Sequence, residues 1–121
     1  MRAIIAVNNL GFIGLDDKLI WHNKEDLKHF KNLTLNSRLL AGFVTFNSLP
    51  PLKNRQLVKD QRGEFILDVD WCIGGKKTYE KYCHLFTELH ISHIDDNSIG
   101  NVTFPDLTNL RKTCKIFNYN F

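Results

Sequence analysis

Ile20-Trp21-His22-Asn23-Lys24-Glu25-Asp26-Leu27-Lys28-His29-Phe30 opens an amphipathic helix that runs to about Leu33. Leu27, Phe30 and Leu33 recur at helical spacing, while Lys24, Lys28 and Lys31 fall outside that stripe. Asn23 is a good N-cap, and Asp26 stands three residues later, like a capping box with a shorter acid. That is one reading of Asp26. The other rests on its setting, one turn into the helix, next to Leu27 and a turn before Phe30, with Trp21 just ahead. A carboxylate facing an apolar, aromatic-walled cleft is costly to leave unpaired, and its pKa is expected to rise. It suits a cationic or hydrogen-bond-donating heterocycle.

Working outward, Ala3-Ile4-Ile5-Ala6-Val7 is a continuous apolar run, the pattern of a strand buried on both faces. Asn8-Asn9-Leu10-Gly11 breaks it, and Phe12-Ile13-Gly14-Leu15 leads into the polar Asp16-Asp17-Lys18, a loop that could move over a ligand. Leu39-Leu40-Ala41 is a second short strand ended by Gly42, and Thr45 to Leu49 a short helix halted by Pro50-Pro51. Gln56-Leu57-Val58 could be a strand, and Glu64 to Ile73 is β-prone, as one strand or two pieces. Gly74-Gly75 closes it and leads to a helix, Lys76 to Phe86, with Tyr79, Tyr82 and Phe86 on one stripe. Leu89 to Ile94 and the tail Lys115 to Phe121 alternate with period two. Strands alternating with helices predict an α/β fold on a mostly parallel sheet, with antiparallel pairing at the end, in a single domain over residues 1–121.

Composition bounds the function. Hydrophobic residues make up 43% of the 121 and charged residues 24%, as in a globular core rather than a disordered chain. The net charge of +3 is spread thinly, with Lys76-Lys77 and Arg111-Lys112 the only adjacent basic pairs, so no nucleic-acid footprint is visible. A phosphorylated small ligand would use such charge equally well. No window approaches the roughly 18 apolar residues of a membrane span, and the opening lacks a signal peptide's pattern, so a cytoplasmic protein is expected. Cys72, Cys83 and Cys114 are odd in number and widely spaced, which points to reduced thiols. His90 and His93 would point to opposite faces of a strand, and no metal site is read from them.

Strand, Gly74-Gly75, helix is a plausible phosphate cradle, since glycines permit close backbone approach and the free amides of a helix start attract an anion. Lys76 and Lys77 add charge there, although a plain tight turn would carry the same residues. Ligands of open α/β sheets gather outside the carboxyl ends of the strands. Gly74, Gly42 and the loop after Val7 all follow strand ends and could line one crevice. A nucleotide-sized ligand beside a carboxylate pocket is as far as the residues alone lead.

The chain resembles dihydrofolate reductase over most of its length. The matching pieces, in order, are Ile5-Ala6-Val7, Ile13-Gly14, Trp21, Asp26-Leu27, Phe30-Lys31, Thr34-Leu35-Asn36, and Gly42 with Thr45 and Phe46. Leu52 and Arg55 follow, then Ile73-Gly74-Gly75 with Tyr79-Glu80, Ser92-His93-Ile94-Asp95, and Phe104-Pro105-Asp106. Each piece is short, and their collinearity carries the resemblance.

The resemblance implies hydride transfer from NADPH to 7,8-dihydrofolate, giving tetrahydrofolate, within one-carbon and thymidylate metabolism. It makes Asp26 the pterin-binding carboxylate, with Trp21 ahead of it and Ser92 in support where the family usually has Thr. Ile5 and Ile73 match positions whose carbonyls meet the pterin amine, Leu27 and Phe30 would wall the folate, and Arg55 matches the arginine of the glutamate tail. On the cofactor side Ala6, Val7, Ile13 and Gly14 would contact nicotinamide and ribose, with Tyr79 beside the nicotinamide. Gly42, Thr45, Gly74, Gly75 and Lys76 would serve the pyrophosphate, and Asp16 to Leu19 fall in the loop that closes over the cofactor. Antifolates such as methotrexate or trimethoprim are implied as further ligands. Each residue also has an ordinary reading: Ile5, Leu27, Phe30 and Ile73 as core, Arg55 as a surface cation, Tyr79 as helix packing.

Three departures from the family pattern stand out. Phe43 and Val44 occupy positions where many members carry basic residues that grip the cofactor phosphates. The segment between Val58 and Trp71 is much shorter, lacking a strand and helix of the adenosine-binding region. The final hairpin strand is missing after Phe121, which would leave a sheet edge bare in a monomer or covered in an edge-paired homodimer. Two functional classes follow: a minimal reductase, favoured by Asp26, Trp21 and Arg55, or a non-catalytic folate-binding or structural protein that keeps the fold, favoured by the shortened cofactor region.

Overall fold

The computed structural model describes residues 1–15 and 20–121. Its order is β1 (Arg2–Asn8), β2 (Phe12–Gly14), α1 (Lys24–Thr34), β3 (Arg38–Ala41), α2 (Phe43–Ser48) and β4 (Gln56–Lys59). β5 (Trp71–Cys72), α3 (Lys76–Tyr82), a 3-10 turn (Cys83–Leu85), β6 (Glu88–Ile94), β7 (Val102–Thr103) and β8 (Lys115–Asn120) complete it. Six strands form one sheet in the order β4-β3-β5-β1-β6-β8. Every neighbouring pair in it is parallel. All its carboxyl ends therefore open on one side.

Alternation along the strands divides the core into two layers. Ala3, Ile5, Leu40 and Cys72 face Tyr79, Tyr82 and Phe86, which the helical stripe of α3 and the turn after it deliver. Ile4, Leu39 and Trp71 point the other way and pack under Phe30 and Leu33 of α1. Burial of side chains the size of Phe86 stabilises by roughly 1.5–3 kcal/mol each. A helix on each face thus locks the central strands in register.

Three expectations need correction. The tail pairs parallel to β6, from Glu88↔Lys115 to His93↔Asn120, rather than antiparallel. The connection between these strands returns the chain to the end where β6 began, with Lys115 N donating to Thr87 O at 3.0 Å, and a strand that starts there must run alongside. Second, the β-prone stretch from Glu64 yields a strand at Trp71–Cys72 alone. The part before it hangs on a side-chain network instead. Ile66 N donates to Tyr82 Oη at 2.9 Å, Tyr82 Oη donates to Asp60 Oδ1 at 2.7 Å, and Lys81 Nζ meets both Asp60 carboxylate oxygens at 3.1 Å. Third, α3 stops at Tyr82 and tightens into a 3-10 turn before Phe86. Phe12–Gly14, to which the sequence reading gave no element, is a short strand that pairs antiparallel with Val102–Thr103. No helix among the described residues is long and apolar enough to cross a membrane.

Candidate functional site

A cleft of about 420 Å³ opens over the carboxyl ends of β1 and β5, between α1, α2 and the start of α3. Asp26 projects into it from the first turn of α1. Asn23 caps that helix, its Oδ1 accepting from Asp26 N at 2.9 Å, which leaves the Asp26 carboxyl to the cleft rather than to a capping box. The carboxyl is buried, and burial raises its pKa above the usual carboxylate value, with Ser92 and then His29 pulling it back down. Ser92 Oγ is close enough to exert that pull but has no partner in good hydrogen-bonding geometry among the described residues. His29, one turn further along α1, is pushed down by burial, Asp26 raising it and His90 lowering it.

Around Asp26 the cleft wall is apolar. Ile5, Leu27, Phe30 and Ile73 line it, and so does Ser92. Leu27 is 43% exposed, which an ordinary core position would not be. Trp21 and Arg55 do not line it. Trp21 lies just before the helix, with its Nε1 buried and unpaired among the described residues. Arg55 stands behind Phe30, its guanidinium 5.9 Å from that ring, with Nε donating to Lys53 O at 3.0 Å.

At the other end Ala6, Ile13, Gly14, Thr45, Gly75, Lys76 and Tyr79 line the cleft. Tyr79 Oη donates to Ile4 O at 2.6 Å; burial pushes its pKa far up, so the phenol stays a donor. Gly42 and Gly74 lie under the floor, Gly42 N donating to Gly74 O at 2.6 Å. Gly74 has φ +107°, and a Cβ there would stand 2.7 Å from Tyr79 Cε2. A Cβ on Gly42 would strike Thr78 Oγ1, and one on Gly75 would come within 3.3 Å of Thr45 Oγ1. These glycines let three backbone segments meet. Val7 is buried in the sheet rather than in the cleft wall, and Lys76 Nζ is tied to Thr103 Oγ1 at 2.7 Å. Leu19, and the loop of Asp16 to Leu19 with it, lies outside the described residues.

Ile4, Ser48, Leu49 and Val102 also line the cleft and had not been singled out. Ser48 and Leu49 follow Thr45 by three and four residues, a helical spacing that could have flagged them. Nothing local flags Val102, which arrives through the pairing of β7 with β2.

The architecture defines the class first: an α/β protein with a ligand cleft across the carboxyl ends of a parallel sheet, holding one buried carboxylate and a diglycine floor. Comparison with known proteins then narrows it. A family model described as dihydrofolate reductase matches residues 1–59. The dihydrofolate reductase of Buchnera aphidicola subsp. Schizaphis graminum (strain Sg) is 31% identical over 142 residues, spanning 100% of this chain and 86% of that protein. Dihydrofolate reductase type 9 of Escherichia coli is 52% identical over 50 residues, 41% of this chain and 28% of its own length. Among solved structures, dihydrofolate reductase from Enterococcus faecalis complexed with NADP(H) and RAB-propyl superposes with a TM-score of 0.75 at 25% identity, covering 88% of this chain and 77% of that one. The chain belongs to the dihydrofolate reductase family.

Proposed function

We propose that this protein reduces 7,8-dihydrofolate to 5,6,7,8-tetrahydrofolate with NADPH, in the cytoplasm and in support of one-carbon metabolism. The observation that carries this reading is one cleft with a buried, apolar-walled carboxylate at one end and a diglycine floor at the other. NADPH, when bound, supplies the hydride. Asp26 accepts hydrogen bonds from the pterin amino group and ring nitrogen and favours protonation of the nitrogen next to the carbon that takes the hydride. Its raised pKa suits it to exchange protons nearer neutral pH than an exposed aspartate does. Leu27 and Phe30 wall the ring and keep water from the reacting face, and Arg55 behind Phe30 pairs with the glutamate carboxylate.

The residues present fit the cofactor. Gly75 lines the cleft, where a Cβ would crowd Thr45 Oγ1, and Gly74 beneath it has no room for one, so the backbone at Gly75 stays open to a pyrophosphate, with Thr45 Oγ1 beside it as a hydroxyl donor. Tyr79, Ala6 and Ile13 would flank the nicotinamide. Antifolates would take the Asp26 end. The test is dihydrofolate-dependent oxidation of NADPH by the purified protein, with NADH in parallel and Asp26→Asn as control. Turnover that the substitution abolishes supports the reading. A folded protein that binds folate but turns over neither cofactor would overturn it.

A further inference from the structure

β2 and β7 form a two-stranded ribbon of their own, separate from the six-stranded sheet. Ile13 and Gly14 of β2 and Val102 of β7 line the cleft, so the ribbon is one of its walls. Its strands fit closely: Asn101 N donates to Gly14 O at 3.1 Å, Phe104 N donates to Gly11 O at 3.0 Å, and a Cβ on Gly100 would strike Gly14 O. Asn8, the last residue of β1, joins this ribbon to the main sheet through a buried side chain. All four hydrogen-bonding positions of its amide are used. Oδ1 accepts from Leu10 N at 3.1 Å and from Phe12 N at 3.0 Å, which closes the turn into β2. Nδ2 donates to Ser98 O at 2.8 Å and to Asp96 Oδ2 at 3.1 Å, on the segment that leads from β6 to β7. Asp96 is itself fixed, its two carboxylate oxygens accepting from Ser98 N and Ser98 Oγ at 3.0 Å each. A turn would need only the oxygen half of Asn8. The nitrogen half reaches residues 88 and 90 positions away, so one amide holds the approach to both strands of the ribbon.

We propose that Asn8 is a positioning residue for the cofactor: it seats the β2–β7 ribbon against the cleft, and NADPH affinity depends on that seat. The assignment rests on the reductase reading and concerns a side chain outside the cleft that acts through Ile13, Gly14 and Val102. Asp26, Leu27 and Phe30 stand on α1, which none of the four Asn8 bonds touches. With the link cut, the ribbon spends part of its time away from the cleft. Apparent affinity then falls by the fraction of molecules in which the ribbon is seated. In the saturated complex the ribbon is seated again, so kcat is preserved. The effect belongs to NADPH binding and KM, and folate binding is spared.

Calorimetric titration of the wild type, Asn8→Ala and Asp96→Ala with NADPH and, separately, with folate tests this, alongside the steady-state KM for NADPH. Asn8→Ala should weaken NADPH binding roughly tenfold and raise its KM in step, with kcat and folate affinity within about twofold of wild type. Asp96→Ala cuts the same link from its half-exposed side and should show the same split, which decides the matter if Asn8→Ala does not fold. Asn9→Ala removes the bonds to Asp95 and Asn97 on the outside of the turn and should leave both affinities unchanged. Unchanged NADPH affinity in the folded variants, a folate affinity that falls with it, or an equal loss in Asn9→Ala overturns the assignment while the reductase reading stands. A wild type that binds folate but not NADPH overturns the reductase reading, and the assignment with it.

Discussion

The two ends of the cleft are built differently. At the pterin end, Asp26 and its apolar wall come from α1 and from β1 and β5, elements buried in both core layers. At the other end, α2 and the glycines of the floor border the segment of residues 60–70, which lines no part of the cleft, is mostly exposed and is held by the hydroxyl of Tyr82, the carboxylate of Asp60 and the ammonium of Lys81. The family model's match also stops at Lys59, where this second region begins. One end depends on close packing of regular elements, the other on a few polar contacts. The chemistry at a packed carboxylate should therefore be the less forgiving to change, and substitutions in the polar region should act on stability or affinity with modest effect.

The sharpest way to break the comparison is Asp26→Asn. Removing a positioned acid–base group should lower kcat/KM by about 10²- to 10⁴-fold in the NADPH oxidation assay. The same variant has a pH signature in stability. The folded state raises the Asp26 pKa, so it binds that proton more tightly than the unfolded chain does. Stability associated with Asp26 is then greatest at low pH and lost as the pH rises through its folded pKa. Asp26→Asn should be the more stable protein at pH 7 by urea titration, and its advantage should shrink as the pH falls into the carboxylate range.

Gly74→Ala tests the floor. The φ of +107° and the approach to Tyr79 leave a methyl no space, so a loss of roughly 1–3 kcal/mol or more in urea unfolding is expected. NADPH affinity should fall with it. Tyr82→Phe tests the polar region alone. It leaves Ile66 N and Asp60 without their shared hydroxyl, for a loss of about 1–3 kcal/mol in the same measurement, with kcat unchanged. A fall in kcat would show that residues 60–70 reach the chemistry. Smallest should be Arg55→Lys, which keeps the charge but not the planar fork. The KM for dihydrofolate should rise by up to about tenfold at constant kcat.

Much of the pterin end was legible in the chain. The capped start of α1 is local, since Asn23 and Asp26 stand three apart and their bond forms within one turn. The stripe of Tyr79, Tyr82 and Phe86 required only helical periodicity, although the last of them is delivered by a 3-10 turn. The rise of the Asp26 pKa followed from the apolar residues around it in sequence. The cofactor end was less legible. β-propensity over Glu64 to Val69 was overridden by Tyr82 and Asp60, side chains whose partners lie far along the chain.

By itself, the amino-acid sequence determined the short-range features: the capped helix that presents Asp26, the buried strand at Ala3 to Val7 and the glycine pair that ends β5. Each rests on periodicity, capping or the missing Cβ of glycine, properties of a few adjacent residues. Only the tertiary structure decided that β8 lies parallel to β6, that Val102 reaches the cleft, that Ile4 offers its carbonyl to Tyr79, and that Lys59 settles on Phe43. Those outcomes depend on which strands become neighbours and in which register. Such long-range pairings leave no local mark on the residues that make them.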